Sequence, residues 1–247
     1  MRGAGAMPRR SFLVGGLGFL LAGCGSRPRD VTYRFTLEVE TPEGRRIGSN
    51  LLEVGISFND GPLGGLAQTA LSVGVSGEAT VVDLGARGLL FCLLSRDIDR
   101  KGSLDQDAMF GAVFPERPPP GIYADQRERD LALSKMPYRN HVDRVKAEKP
   151  TVAVPIERLP RLVRFRDLSD PLSVETVDPR DLATVFGPGV RLVGATVAIT
   201  EGKPTRGIEK ILPWVLKLEG SIGKNVKADY WSPLGQINDG SFRRRWS

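Results

Sequence analysis

The sequence predicts a mainly β domain of the α+β kind, an antiparallel β-sheet or sandwich with a few short helices, and three observations carry that expectation. Val31, Tyr33, Phe35, Leu37 and Val39 alternate with Thr32, Arg34, Thr36, Glu38 and Glu40, and strict period two marks a half-buried strand. The pattern returns after Thr41-Pro42-Glu43-Gly44, with Leu52, Val54, Ile56 and Phe58 on one face, so the two runs read as a hairpin. Leu89-Leu90-Phe91-Cys92-Leu93-Leu94 is an apolar run that reads as a buried strand.

Each element follows from local chemistry. In the hairpin turn, Pro42 pre-sets φ and Gly44 accepts a positive one. Shorter strands are expected at 70–75 and 79–84. Between 95 and 150 charges crowd, apolar periodicity fades and Pro118-Pro119-Pro120-Gly121 excludes helix or central strand. This irregular excursion, with one short helix near 125–136, is the first place to look for a partner-specific surface, since long loops are commonly functional. Asp170-Pro171 and Asp178-Pro179 each match an N-cap followed by proline at the first helical position. The second predicts a helix over 179–186, with Asp181 in its first turn, ending at Gly187-Pro188-Gly189. A strand is expected at 190–200, a helix or a strand at 207–218, and a polar tail with scattered aromatics from Lys224.

Composition narrows the function. The chain has 35 Lys and Arg against 29 Asp and Glu. Arg2, Arg9 and Arg10 lie in the leader described next, which leaves 32 basic against 29 acidic residues, a net +3. Arg243, Arg244 and Arg245 alone equal that excess, so no basic face for nucleic acid is expected. No internal repeat is present.

The leader begins with those arginines and continues as eleven uncharged, mostly apolar or glycine residues, Phe12 through Ala22. That is the layout of a secretory signal, and it ends well short of the ~20 apolar residues a membrane-spanning helix needs. Leu21-Ala22-Gly23-Cys24 resembles the lipobox of bacterial lipoproteins. The resemblance implies that the Cys24 thiol receives a diacylglyceryl group, that cleavage precedes it, and that the new amine is acylated. Two or more chains hold stably where one binds only marginally. Arg9-Arg10-Ser11-Phe12-Leu13 is similar to the twin-arginine export motif. Residues 1–23 are therefore expected to be a signal peptide, 24–30 a tether beside the lipid, and 31–247 a single β-rich domain. Tyr33 to Gly44, Val177-Asp178-Pro179-Arg180-Asp181-Leu182, Phe186-Gly187-Pro188-Gly189, and Gly207-Ile208-Glu209 through Leu212-Pro213-Trp214 also resemble an uncharacterised proteobacterial protein family, a likeness that carries no catalytic residues.

Candidate chemistry is sparse. Cys24 and Cys92 are the only cysteines, and a thioether-linked Cys24 leaves no intramolecular disulfide. Cys92 sits in the apolar run as a small hydrophobe, whereas a reactive thiol needs an electropositive, accessible setting. Residues 97–105 overlap a calcium loop but put Lys101 where an oxygen ligand belongs and Ala108 where the bidentate Glu belongs. His141 is the sole histidine, so no histidine cluster forms a zinc site. Ser76 lacks the second glycine of a nucleophile elbow, and Gly187-Pro188-Gly189 has Leu192 in place of the third glycine of a dinucleotide loop. Arg158, Arg161, Arg164 and Arg166 beside Leu162, Val163 and Phe165 read as the wet, charged face of an edge strand, with anionic lipid heads as the other use.

The functional expectation is a lipid-anchored envelope lipoprotein facing the periplasm, on the inner or the outer membrane. Its domain binds or scaffolds an envelope protein or polymer, not nucleic acid, and takes no cofactor or metal. The alternative is an envelope hydrolase that uses dispersed carboxylates.

Overall fold

The computed structural model describes residues 30–58, 71–94, 143 and 145–245, with 56–58 and 71–73 described by backbone alone. Among these described residues ten antiparallel strands form two sheets and confirm the mainly β expectation. The strands are β1 (Val31–Thr41), β2 (Gly44–Phe58), β3 (Leu71–Glu78), β4 (Thr80–Asp83), β5 (Leu89–Cys92), β6 (Thr151–Ala153), β7 (Leu162–Phe165), β8 (Val174–Val177), β9 (Arg191–Ile199) and β10 (Arg243–Arg244). The six-stranded sheet has the order β10-β3-β2-β1-β9-β6, and the four-stranded sheet the order β4-β5-β7-β8.

The burial alternation along β1 is unbroken, although its pairing with β9 shifts register between Glu38 and Val39. Val31, Tyr33, Phe35, Leu37 and Val39 are buried, while the intervening side chains are half-buried or exposed. β1 pairs with β2 from Val31↔Val54 to Thr41↔Gly44 and with β9 on its other edge. The pairing closes the hairpin over Pro42 and Glu43, and Gly44 sits at φ 121°, the conformation that favours glycine. Gly48, inside β2, is explained by the second sheet: a Cβ there would lie 2.2 Å from the Val81 carbonyl oxygen. Its bare backbone lets the two sheets approach.

Two cores result. The first lies between the sheets and joins Phe35, Leu37 and Leu52 to Val82, Leu90, Cys92, Leu162 and Val177. The second covers the far face of the four-stranded sheet, where Phe91, Leu93, Val163 and Phe165 meet Ile208, Leu212, Val215, Ile222, Ile237 and Phe242 of the C-terminal segment. Thus β5 is buried on both faces, and its unbroken apolar run follows from that. The rings of Phe91 and Phe165 stand edge to face at 5.5 Å, and Trp214 and Phe242 do the same at 5.5 Å.

The C-terminal layer consists of short turns of helix. Residues 207–218, open between helix and strand in the sequence, form two 3₁₀ turns, Ile208–Lys210 and Pro213–Lys217. The tail adds Pro233–Gln236, capped by the Ser232 side chain, and Asp239–Phe242, closed by a capping box between Asn238 and Ser241. Two other predictions need correction. Asp170-Pro171 starts only a 3₁₀ turn, Pro171–Ser173. The expected helix over 179–186 is confined to Ala183–Phe186, because residues 178–181 close a separate turn in which the Asp181 N–H donates to the Asp178 carbonyl at 3.0 Å and Asp178 Oδ1 accepts from the Arg180 N–H. Leu182 takes the N-cap position without a side-chain bond, and Asp181 just before it accepts from the Thr184 N–H at 3.1 Å.

Candidate functional site

The residues singled out in the sequence separate by location. Cys24 and the residues of the expected signal, Arg9, Arg10, Phe12, Leu13, Leu21, Ala22 and Gly23, lie outside the described residues. So do His141, the 97–105 loop, the expected helix at 125–136 and most of the 95–150 excursion. Cys92 is free and fully enclosed, and burial pushes its thiol far above the ordinary range, away from thiolate chemistry. Ser76 is buried within β3, not on a strand-to-helix elbow. Gly187 and Gly189 have φ 95° and 80° and form a turn.

The arginine set is placed differently from the expectation. β7 is an interior strand, paired with β5 on one side and β8 on the other, so it is no guarded edge. Arg164 donates to Glu175 at 2.6 Å and to the Val185 carbonyl at 2.6 Å, and lies over the Phe186 ring at 5.6 Å. Arg166 shares Glu175 at 3.0 Å, Arg161 donates to Gln236, and Arg158 is also engaged. These cations brace the four-stranded sheet.

Three turns that are distant in sequence meet at one end of the sandwich. Arg87, on the 3₁₀ turn Gly85–Arg87, holds both carboxylate oxygens of Glu43 in the hairpin turn through Nη2 and Nε, at 2.8 and 3.2 Å, and donates from Nη1 to the Phe186 carbonyl at 2.9 Å. The hydrogen bonds from Arg87 hold the Glu43 carboxyl down at about 2. A Cβ on Gly187 would come within 2.9 Å of the Arg87 guanidinium, and one on Gly189 within 2.8 Å of Pro42. The Thr41-Pro42-Glu43-Gly44 and Phe186-Gly187-Pro188-Gly189 strings therefore form one clamp joining the two sheets. Each charge in it is already answered, which suits a brace better than a reaction.

The opposite end is where the chain enters β1. Glu53, across from Thr32, has its carboxyl pushed up by desolvation and by the neighbouring Asp30, while Arg206 and Lys146 pull it down. Asp30 Oδ1 is buried with no hydrogen-bond partner among the described residues. Burial and a neighbouring carboxyl raise the Glu53 carboxyl together, a setting that acid–base sites also use. Among the described residues no group of three or more His, Cys, Asp and Glu could hold a metal ion, and no helix is long and apolar enough to cross a membrane.

Sequence reasoning missed the corner where the chain passes from β3 to β4. Asn50 donates to the carbonyls of Glu78 and Ala79 at 3.1 and 2.7 Å, and the Ala79 N–H donates to Phe242. The buried Glu78 carboxylate accepts from the Ile208 N–H at 2.8 Å, which pins the third layer to the first. Nothing in the local string Ser76-Gly77-Glu78-Ala79 signals a partner 130 residues away. Compared with protein-family models, curated proteins and solved structures, the chain finds no match.

Proposed function

We propose that the chain is an exported lipoprotein, acylated at Cys24 and held at the periplasmic face of a membrane, whose β body binds or scaffolds an envelope protein or polymer. The carrying observation is the apolar leader closed by Leu21-Ala22-Gly23-Cys24 and followed, after six residues, by the first strand. The position of that strand supports the reading. β1 is bonded on both edges, so a pull on the tether is resisted by two ladders in shear. A tether attached to an edge strand would peel one. Metabolic palmitate labelling tests the proposal: wild type takes label and stays with the membrane, Cys24→Ser loses both, and equal label in the two overturns it.

A second reading, an envelope hydrolase, is favoured by one observation, the desolvated Glu53 carboxyl beside Asp30. On that reading Glu53→Gln abolishes turnover of purified cell-wall polymer; turnover that survives the substitution eliminates Glu53 as its acid.

A further inference from the structure

The segment 224–231, Lys-Asn-Val-Lys-Ala-Asp-Tyr-Trp, holds apolar side chains in water while its backbone is tied down. Val226, Tyr230 and Trp231 are 53%, 59% and 48% exposed, although the surrounding chain buries Ile222 and Ile237. Fraying is not the reason. The N–H groups of Val226 and Ala228 donate to the Gly223 carbonyl, that of Ser232 to Asp229, and that of Gly223 to Leu234. Two rings at 5.1 Å, edge to face, are thus presented on a fixed loop.

We propose that this loop is a second, non-covalent membrane contact, in which Val226, Tyr230 and Trp231 enter the headgroup boundary of an anionic leaflet and Lys224 and Lys227 face its phosphates. Tyr and Trp suit that boundary because each has an apolar body and a polar edge. The loop carries Lys224 and Lys227 against the single Asp229, an excess of one positive charge. Lys224 pairs with Glu219 at 3.9 Å, both largely exposed, a contact that water weakens, and the exposed Asp229 accepts from the Trp231 N–H at 3.2 Å. A protein partner fits less well. Three side chains on a loop fall far short of the ~800 Å² per partner that a stable protein interface buries. A weak contact suffices beside a covalent anchor.

The inference rests on the tethered reading, which also supplies the geometry. The loop is bonded through Ile222 and Gly223 to Ile237 and Leu234, and its neighbours Gln236 and Ser241 meet Arg161 and Leu94. β4 runs from the Asn50 corner towards the Glu43/Arg87 clamp, and Leu94 continues β5 away from that clamp. The loop therefore springs from the end opposite the clamp, the end at which Asp30 enters β1. From Cys24 to Asp30 the chain spans at most about 20 Å, roughly half the width of a body of this size, so this end stays beside the bilayer.

The test uses the full chain carrying Cys24→Ser, so that acylation plays no part, mixed with vesicles of phosphatidylcholine alone or with phosphatidylglycerol. The emission of Trp231 is taken as the difference between this protein and its Trp231→Phe variant, which leaves the leader's own binding common to both. A blue shift and protection from acrylamide on the anionic vesicles are expected, with each of Lys224→Gln and Lys227→Gln weakening partitioning about fivefold. Trp231 emission unchanged on both vesicles overturns the proposal, as does quenching by soluble cell-wall fragments in their place. Failure of palmitate labelling would sink the anchor and leave this result standing, so the two readings fail separately.

Discussion

Glu43 and Glu53 are two carboxyls of one hairpin that the fold treats in opposite ways. Glu43 is held down at about 2 by Arg87, against an ordinary 4.5, so it contributes stability above pH 4.5 that is lost as pH falls through about 2. Glu53 is raised above the same 4.5 by desolvation and by Asp30, so the folded state is favoured at low pH and loses stability as pH rises through the shifted value. Thermal melts of two variants should therefore diverge. Glu43→Gln melts below the parent at neutral pH, with the gap closing between pH 4.5 and 2. Glu53→Gln melts above the parent at neutral pH, with the gap closing below 4.5. A Glu53→Gln protein less stable than the parent at neutral pH would mean that the carboxylate is satisfied by a partner. Neither behaviour was legible in the sequence, since Arg87 is 44 residues from Glu43 and Asp30 is placed by strand register alone.

At the scale of elements, legibility followed the range of the forces involved. β1 was readable because its apolar residues face one core, and a two-residue period survives any rearrangement elsewhere. The same register gives a test. Phe35→Ala, in the first core, should cost ~3 to 5 kcal/mol through lost burial and a residual cavity, whereas Thr36→Ala on the other face should cost no more than ~0.5 kcal/mol. Denaturant midpoints decide it, and equal midpoints would sink the assigned register. The helix over 179–186 was overread because an Asp-Pro pair caps a turn as readily as a helix, and only the packing of Phe186 and Leu182 fixes where the helix begins. The arginines near β7 were misread as an edge face because Glu175 and the Val185 carbonyl come from other elements. Local strings carry caps, turns and alternation; they do not carry which strand lies beside which.

At the scale of the molecule, the two cores share the four-stranded sheet, so the three layers are expected to unfold together. Leu90 and Cys92 of β5 serve the core between the sheets, while Phe91 and Leu93 serve the core under the C-terminal layer. Losing that layer would bare Phe91, Val163 and Phe165, each buried in the folded chain, at ~1.5 to 3 kcal/mol for every large side chain exposed. The Glu78 bond to Ile208 and the Ala79 bond to Phe242 fasten the same layer to the corner between the sheets. Phe242 is the residue on which this coupling turns, since it touches the rings of Phe165 and Trp214 and its carbonyl holds Ala79. Phe242→Ala should therefore cost ~3 to 5 kcal/mol and lower the whole transition, not detach the tail alone. Urea unfolding followed by far-ultraviolet dichroism, which reports both sheets, and by tryptophan emission, which includes Trp214 in the third layer, separates the cases. Coincident curves in parent and variant are expected. An emission change that precedes the loss of sheet signal would mean that the C-terminal layer is a cover that opens by itself, and the loop it carries at 224–231 would then be free to move relative to the two sheets.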